Sequence, residues 1–411
     1  MDKMKNNCIE KFEITKRSSF KAKLIGLFFF LSLTSVYVFP DVLTNMYKPL
    51  LIILLFFSIL LFDERLEINV ISVIIIISIT YYSLVLLNNM SFMSFTSYAS
   101  ITLPLIIALI LSTIKLSIKD LRVIINSIYL GGIVFSIFIL VSNPNLTQMS
   151  AIYRTEIKYL NSIINANGIP YFVIPAVLIG INKIILSKNI NKIKHIMYVF
   201  ISMYPIFYSM SRGGFLALFL GMLFIILYYI KLYLKKNNMI KIITLILLIC
   251  TIVLMIYHIL PQKIKARLFN FSSYDLNHRD FLWEQAILMS RNNIFFGNGY
   301  TYYWEKTGNN YGAHNLYIDL LVSSGIIGAV LMLLIFITII LKSKKNPIAV
   351  SFITIAFINS MIESGRSYGF WIPLMLALMI IKNISDKKVD LAVIFKGSYR
   401  KKSEFNLEIQ K

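Results

Sequence analysis

Long apolar runs separated by short polar segments dominate the chain. A membrane-spanning helix needs about 20 consecutive, mostly apolar residues. That length predicts twelve spans, at about 24–40, 46–62, 68–87, 95–113, 121–141, 163–182, 195–210, 213–234, 242–260, 314–341, 347–363 and 368–381. The pattern therefore predicts an all-α integral membrane protein.

The charge distribution is also typical of an integral membrane protein. The 411 residues are 57% hydrophobic and only 15% charged, and 41 Lys+Arg against 19 Asp+Glu leave a net charge of +22. In a soluble protein such an excess would suggest nucleic acid, but here the bases lie in short clusters between apolar runs. We expect membrane lipid as a partner and no nucleic acid.

The basic clusters also predict orientation, because Lys and Arg in short loops stay on the cytoplasmic side. Most of the 41 bases face the cytoplasm if both termini do. The predicted organisation is a basic cytoplasmic tail at 1–23, a polytopic domain at 24–382 with a long extracytoplasmic loop at 261–313, and a second basic cytoplasmic tail at 383–411. The first run looks like a signal peptide but lacks a small-residue cleavage site, so we interpret it as a retained helix.

Neither a disulfide nor a metal site is predicted. Cys8 lies in the basic N-terminal tail and Cys250 inside an apolar run, and the four histidines are scattered without paired metal-ligand spacing. We therefore expect no metal and no cofactor.

The first candidate site lies at the outer start of the eighth predicted span. Ser211 is a predicted N-cap, and Arg212 follows it in the first turn, before two glycines that allow close approach of a helix or a ligand. A helix N-terminus combined with a guanidinium group can form a binding site for a phosphate group. The alternative is an interfacial arginine that reaches lipid headgroups.

The second candidate lies in the long outer loop. Asn277 and Asp280 form a weak capping pattern, and a short amphipathic helix along the membrane surface is predicted to follow. Its apolar positions are Leu282, Trp283, Ala286, Ile287 and Met289. Arg279 lies in its first turn, next to His278. The alternative is that Arg279 pairs with a neighbouring acidic side chain or a headgroup.

The third candidate is His314, which opens the tenth predicted span together with Asn315. The positive end of the helix dipole disfavours an imidazolium, which leaves a neutral ring that can accept a proton. A general base needs that property. The alternative is a capping or interface-anchoring histidine.

Because spans alternate in direction, these three helix starts are predicted to face the same outer side. Further candidate substrate contacts are Arg154, Ser211, His278, Asn315 and Tyr300. The aromatic residues that follow the turn at 297–299 could stack on sugar rings or form an interfacial belt. Glu363 and Arg366 are predicted to form an ion pair in the last outer turn, with an acceptor contact as the alternative.

In combination, these motifs resemble the O-antigen ligase and polymerase superfamily, whose members move lipid-linked glycans on the outer face of the bacterial inner membrane. The resemblance rests on Ser211-Arg212-Gly213-Gly214, Arg279 followed by Trp283, Gly297-Asn298-Gly299, His314-Asn315 and Gly325-Ile326-Ile327-Gly328. It implies a GT-C-class bundle and a metal-independent, inverting glycosyltransferase whose donor is a polyprenyl-pyrophosphate-linked oligosaccharide. In that mapping, Arg212 and Arg279 bind the pyrophosphate and His314 deprotonates the acceptor hydroxyl.

The resemblance leaves the acceptor open. We predict a polysaccharide polymerase that extends an acceptor glycan of an O-antigen, capsule or exopolysaccharide, with a chain-length regulator and a flippase as candidate partners. A ligase that transfers glycan to lipid A core or to a protein is the alternative. A flippase or transporter is disfavoured, because the mid-helix positions carry almost no charge.

Overall fold

The computed structural model describes residues 19–34, 67–88, 90–143, 157–159, 162–164, 166–187, 190–234, 279–308, 312–344, 346–363 and 368–384, with isolated positions between 239 and 265. Its elements are α1 (Phe20–Thr34), α2 (Val70–Asn88), α3 (Phe92–Thr113), α4 (Ile118–Ser142), β1 (Ile157–Tyr159), β2 (Ser162–Ile164), α5 (Ile169–Leu186), α6 (Ile190–Tyr208), α7 (Arg212–Leu234), α8 (Arg279–Ser290) with a 3-10 turn at Arg291–Asn293, α9 (Tyr302–Thr307), α10 (Leu316–Ser343), α11 (Pro347–Ile362) and α12 (Tyr368–Ile384).

Most of the predicted spans coincide with helices. Among the described residues, six helices are long and apolar enough to cross a membrane, namely α2, α3, α4, α5, α7 and α10. Helices α11 and most of α12 are apolar but shorter. The predicted span at 46–62 lies outside the described residues, as does most of 242–260. The total of twelve spans therefore stays a prediction, and so do the two basic tails.

The predicted start of the sixth span, at 163, was wrong. Residues 157–159 and 162–164 pair as an antiparallel hairpin, with Ile157 opposite Ile164. Helix α5 begins only at Ile169, where Gly168 is the N-cap and Pro170 stands in the first turn. Proline is favoured there because its missing N–H would have no helical partner. Among the described residues, the regular structure is helical apart from this small hairpin.

Helix α12 lies at the centre of the bundle. It packs against α3, α5, α10 and α11, and its residues 370–381 are all buried. Trp371 and Phe370 are among the largest fully buried side chains. A helix that is apolar on every side is expected to be enclosed by other helices in this way.

Charged and polar contacts tie the helices together at one end of the bundle. Glu67, just before α2, forms ion pairs with Lys115 after α3 and Lys382 near the end of α12. Hydrogen bonds from these two ammonium groups lower the pKa of the Glu67 carboxyl. Asp120 at the start of α4 accepts hydrogen bonds from the backbone N–H and the hydroxyl of Ser19, before α1, at 2.7 and 2.9 Å. We refer to this end as the basic end.

The opposite end carries the loop helices α8 and α9. The hydroxyl of Tyr300, before α9, donates to the carbonyl oxygen of Tyr82 in α2 at 3.2 Å. The hydroxyls of Ser94 in α3 and Thr301 lie 3.3 Å apart. These contacts hold the segment 294–308 against α2 and α3, so it forms a fixed cover over this end of the bundle.

Candidate functional site

The transmembrane helix α10 is broken at Gly325, and the loop before α9 fills the break. Gly325 has φ 68° and ψ −172°, a conformation that is almost restricted to glycine. The N–H of Ile326 donates to the carbonyl of Ile294 at 2.8 Å, and the N–H groups of Asn298 and Gly299 donate to the carbonyls of Val322 and Ser323 at 2.8 and 3.0 Å. Backbone groups that lose their helical hydrogen bonds at the break thus form hydrogen bonds with the loop. Within a membrane such groups need a protein partner, because no water is available there.

This interlock of residues 294–299 with residues 322–327 also holds α8. The side-chain amide of Asn298 donates to the carbonyl of Met289 in α8 at 3.2 Å, and the hydroxyl of Tyr81 donates to the carbonyl of Ser324 at 2.7 Å. The turn at 297–299 therefore does more than redirect the chain. It fixes the last turn of α8, the helix that begins at Arg279, relative to α10.

Arg279 begins α8, as the sequence predicted. The inner face of α8 packs in a small apolar cluster in which Ala286 meets Tyr303, Ala313 and Val322, with Trp283 at its edge. Ile287, which the sequence assigned to the same face, is instead exposed. The packed face aligns the first turn of α8 with the segment that carries His314.

His314 lies in a short segment that is held on both sides. The N–H of Ala313 donates to Asp319 Oδ1 at 2.7 Å, and the carbonyl of Ala313 accepts a hydrogen bond from Trp283 Nε1 at 2.8 Å. His314 itself has φ 53°, a left-handed conformation that is uncommon for residues other than glycine. Strained backbone of this kind is often found at functional sites.

Asn315 is the N-cap of α10. Its Oδ1 accepts hydrogen bonds from the N–H groups of Tyr317 and Ile318, and its Nδ2 donates to the carbonyl of Met361 at 3.1 Å. His314 therefore stands immediately before the helix N-terminus. Asn315 fixes that terminus against the end of α11, and its contact with a substrate stays a prediction.

The carboxylate of Glu363, directly after α11, connects the two candidate side chains. His314 Nδ1 lies 3.2 Å from Glu363 Oε2, and Arg279 Nη2 lies 3.7 Å from Glu363 Oε1. The side chains of Arg279, His314 and Glu363 are 17%, 22% and 14% exposed. Two residues that are 35 positions apart in sequence thus meet on one carboxylate, and all three side chains are largely shielded from solvent.

Arg212 lies at the neighbouring helix start. The hydroxyl of Ser211 accepts a hydrogen bond from the N–H of Gly214 at 3.2 Å, which confirms Ser211 as the N-cap of α7. A Cβ placed on Gly213 would lie 2.4 Å from Ile362 Cδ1, and one on Gly214 would lie 2.2 Å from Pro170 Cγ.

The two glycines therefore allow α7 to approach α11 and α5 closely at this end. Ile362 directly precedes Glu363 in the chain. The helix start that carries the exposed Arg212 side chain borders the site of Glu363, Arg279 and His314.

Residues 197–333 match the family model described as O-Antigen ligase. This segment is similar to O-antigen ligases. The matched segment contains Arg212, Arg279 and His314 as well as the interlock, and it supports the O-antigen ligase and polymerase superfamily. No curated protein matches the chain.

Other predicted substrate contacts are either buried or lie outside the described residues. Tyr300 is buried, with its ring against Tyr98, and burial raises the pKa of its phenol well above the usual value. It remains a hydrogen-bond donor to Tyr82, so we leave it out of the proposed site. Arg154, His278 and Arg366 lie outside the described residues.

Within the described ranges, no three His, Cys, Asp or Glu side chains are arranged to hold a metal ion. Glu363 is the functional candidate whose role the sequence did not predict, since it was paired with Arg366. It lies 49 residues after His314 and beyond the matched segment, and only the packing of α11 against α10 brings the two together.

Proposed function

We propose that the protein is a polysaccharide polymerase of the O-antigen, capsule or exopolysaccharide type. It transfers a glycan from a polyprenyl-pyrophosphate donor to a hydroxyl of an acceptor glycan. The observation that supports this proposal is the shared contact of Arg279 and His314 with Glu363, beside the helix start that carries Arg212. The match of residues 197–333 to the O-antigen ligase family supports the same chemistry.

The proposed reaction is a single displacement. The acceptor hydroxyl oxygen attacks the anomeric carbon of the donor sugar, and its proton passes to His314 Nε2. The bond from that carbon to the phosphate oxygen breaks, and the lipid pyrophosphate leaves with the electron pair. Attack opposite the leaving group inverts the anomeric configuration, as in an inverting GT-C glycosyltransferase.

The two arginines are proposed to offset the charge of the leaving pyrophosphate. A guanidinium group binds phosphate oxygens through two parallel hydrogen bonds, and a helix N-terminus adds a partial positive charge beside Arg212. Such groups accelerate a reaction when they are fixed where charge develops in the transition state. Under this proposal the reaction needs neither a metal nor a cofactor.

The proposed location is the outer face of the bacterial cytoplasmic membrane, with both chain termini in the cytoplasm. Lys115 and Lys382 lie at the basic end, whereas Arg279 and His314 lie at the opposite end. Lys and Arg in short loops favour the cytoplasmic side. A lipid-linked donor in the outer leaflet would then reach the site from the membrane.

A ligase is the second candidate, because the matching family model is described as O-Antigen ligase. It would use the same donor chemistry with lipid A core or a protein as acceptor. A flippase is disfavoured, because the site residues lie at helix ends and a carrier is expected to hold charges near the bilayer midplane.

The test is incubation of the full-length protein in nanodiscs with a polyprenyl-pyrophosphate-linked repeat unit. A polymerase converts this donor alone into a ladder of lengths, because the donor also serves as acceptor. A ligase gives product only when lipid A core or an acceptor protein is added. Intact donor under both conditions would refute the proposed transferase activity.

A further inference from the structure

Glu363 is held in a fixed position at the end of α11. It is the C-cap residue, with φ −138° and ψ 156°, and its N–H donates to the carbonyl of Asn359 at 3.0 Å. Its carboxylate points to His314 and Arg279. The helix end thus fixes the backbone of Glu363, and its side chain takes no part in capping the helix.

The contact with His314 determines which ring nitrogen carries the proton. An ionised carboxylate can only accept hydrogen bonds. Since Glu363 Oε2 lies 3.2 Å from His314 Nδ1, the neutral ring must carry its proton on Nδ1. Nε2 then keeps a lone pair that can take a proton from a substrate hydroxyl. A carboxylate beside Nδ1 also stabilises the imidazolium that forms after this transfer.

The second carboxylate oxygen faces Arg279. Glu363 Oε1 is buried and makes no hydrogen bond to any described residue, and Arg279 Nη2 is 3.7 Å away. A separation of 3.7 Å is too long for a hydrogen bond, so the ion pair orients the guanidinium group without occupying its N–H donors. Donors on Arg279 therefore remain for an anionic ligand.

We propose that Glu363 is a positioning residue that fixes the Nδ1–H tautomer of His314 and orients Arg279 toward the pyrophosphate. The inference rests on the proposed function and deepens it, because it joins the base and the anion-binding group through one carboxylate. It also extends the functional site beyond residues 197–333, the segment that matches the family model.

The kinetic test compares Glu363→Gln with Glu305→Gln, a control that removes an exposed carboxylate from α9. A glutamine keeps the size of the side chain, but its NH₂ group can turn to His314 Nδ1 and hold the wrong tautomer. We expect turnover per folded enzyme to fall by at least about 10-fold, as when the orienting carboxylate of a catalytic triad is replaced. Any rise in the donor KM, caused by a less well oriented Arg279, should be smaller than the fall in kcat.

Wild-type turnover in Glu363→Gln would overturn the inference. A raised donor KM with unchanged kcat would overturn it as well, since Glu363 would then act through Arg279 alone and not on His314. His314→Ala and Arg279→Ala distinguish a failure of the proposed function from a failure of the proposed role of Glu363. If those variants remain active, the proposed function fails, whereas if they are inactive and Glu363→Gln is fully active, only the role of Glu363 fails.

A spectroscopic measurement excludes a merely structural role. The chain has four histidines, so the ring nitrogens of His314 can be assigned in ¹⁵N-histidine-labelled protein by comparison with His314→Ala. We expect a protonated Nδ1 and an unprotonated Nε2 in the wild type, and the reverse in Glu363→Gln. Glu363→Asp, whose shorter side chain withdraws from Nδ1, should also lose the Nδ1–H tautomer. An unchanged tautomer in both variants would contradict the inference.

Discussion

Gly297 and Gly325 each lie against the opposing segment of the interlock, and neither position leaves room for a side chain. A Cβ on Gly297 would lie 2.4 Å from the carbonyl carbon of Ser323, and a Cβ on Gly325 would lie 2.2 Å from the carbonyl oxygen of Phe295. Both residues have positive φ, 79° and 68°. The long loop is thus joined to α10 through backbone contacts that depend on two glycines 28 positions apart.

Gly325→Ala is expected to release the loop from α10. The new methyl group adds backbone strain of roughly 1 to 3 kcal/mol and a collision with Phe295 that costs about as much again. We expect a lower thermal unfolding midpoint in detergent and loss of glycan transfer, because Arg279 is then no longer held beside His314.

Gly308→Ala is the matched control for that substitution. Gly308 has the same φ of +68°, but no atom lies within 4 Å of the added Cβ position. It should cost only the conformational strain of roughly 1 to 2 kcal/mol and should keep transfer activity. If Gly308→Ala and Gly325→Ala have equal effects, the interlock does not position the site.

Arg279→Lys should lower transfer by about 10- to 100-fold, although it keeps the positive charge. A lysine presents a point charge and cannot reproduce two parallel hydrogen bonds to a pyrophosphate. Arg291→Lys serves as the control, because Arg291 is exposed in the 3-10 turn that follows α8. Equal initial rates for Arg279→Lys and the wild type, measured with purified donor, would exclude a bidentate role.

The sequence predicted the elements of the site that depend on local chemistry. Ser211 as an N-cap, Arg279 in a first helical turn and His314 before a helix start all follow from capping preferences within a few residues, and the structure has all three. The apolar runs likewise predicted where most of the helices lie. These features are encoded by neighbouring residues.

The features that were missed depend on contacts between distant segments. Glu363 was assigned to its neighbour Arg366, because only the packing of α10 against α11 brings it to His314. The sequence around the turn at 297–299 did not indicate that its backbone would form hydrogen bonds with residues 322–327. The residues of β2, including Ile163 and Ile164, were read as the start of a span, since a short apolar run fits a strand and a helix equally well.

Trp283→Phe tests how His314 is positioned. The substitution keeps an aromatic ring in the cluster with Ala286 but removes the hydrogen bond from Trp283 Nε1 to the carbonyl of Ala313. We expect a loss of roughly 1 kcal/mol in stability and a fall in kcat with little change in donor KM. A rise in KM without a change in kcat would show that Trp283 acts on the donor instead.

Removal of divalent cations should leave transfer unchanged. The proposed site offsets the pyrophosphate charge with Arg212 and Arg279. Initial rates should therefore be the same in EDTA and in added magnesium, at constant ionic strength. A loss of activity in EDTA that magnesium restores would contradict the proposed role of the two arginines.

The most direct test of the account is the rate of glycan transfer by His314→Ala in nanodiscs, relative to the wild type. Folded protein should be confirmed by its unfolding midpoint, and donor binding should be measured separately, because the arginines remain in place. The account predicts normal donor binding and no detectable product. Polymer formation at the wild-type rate would contradict the assignment of His314 as the base and, with it, the proposed reaction.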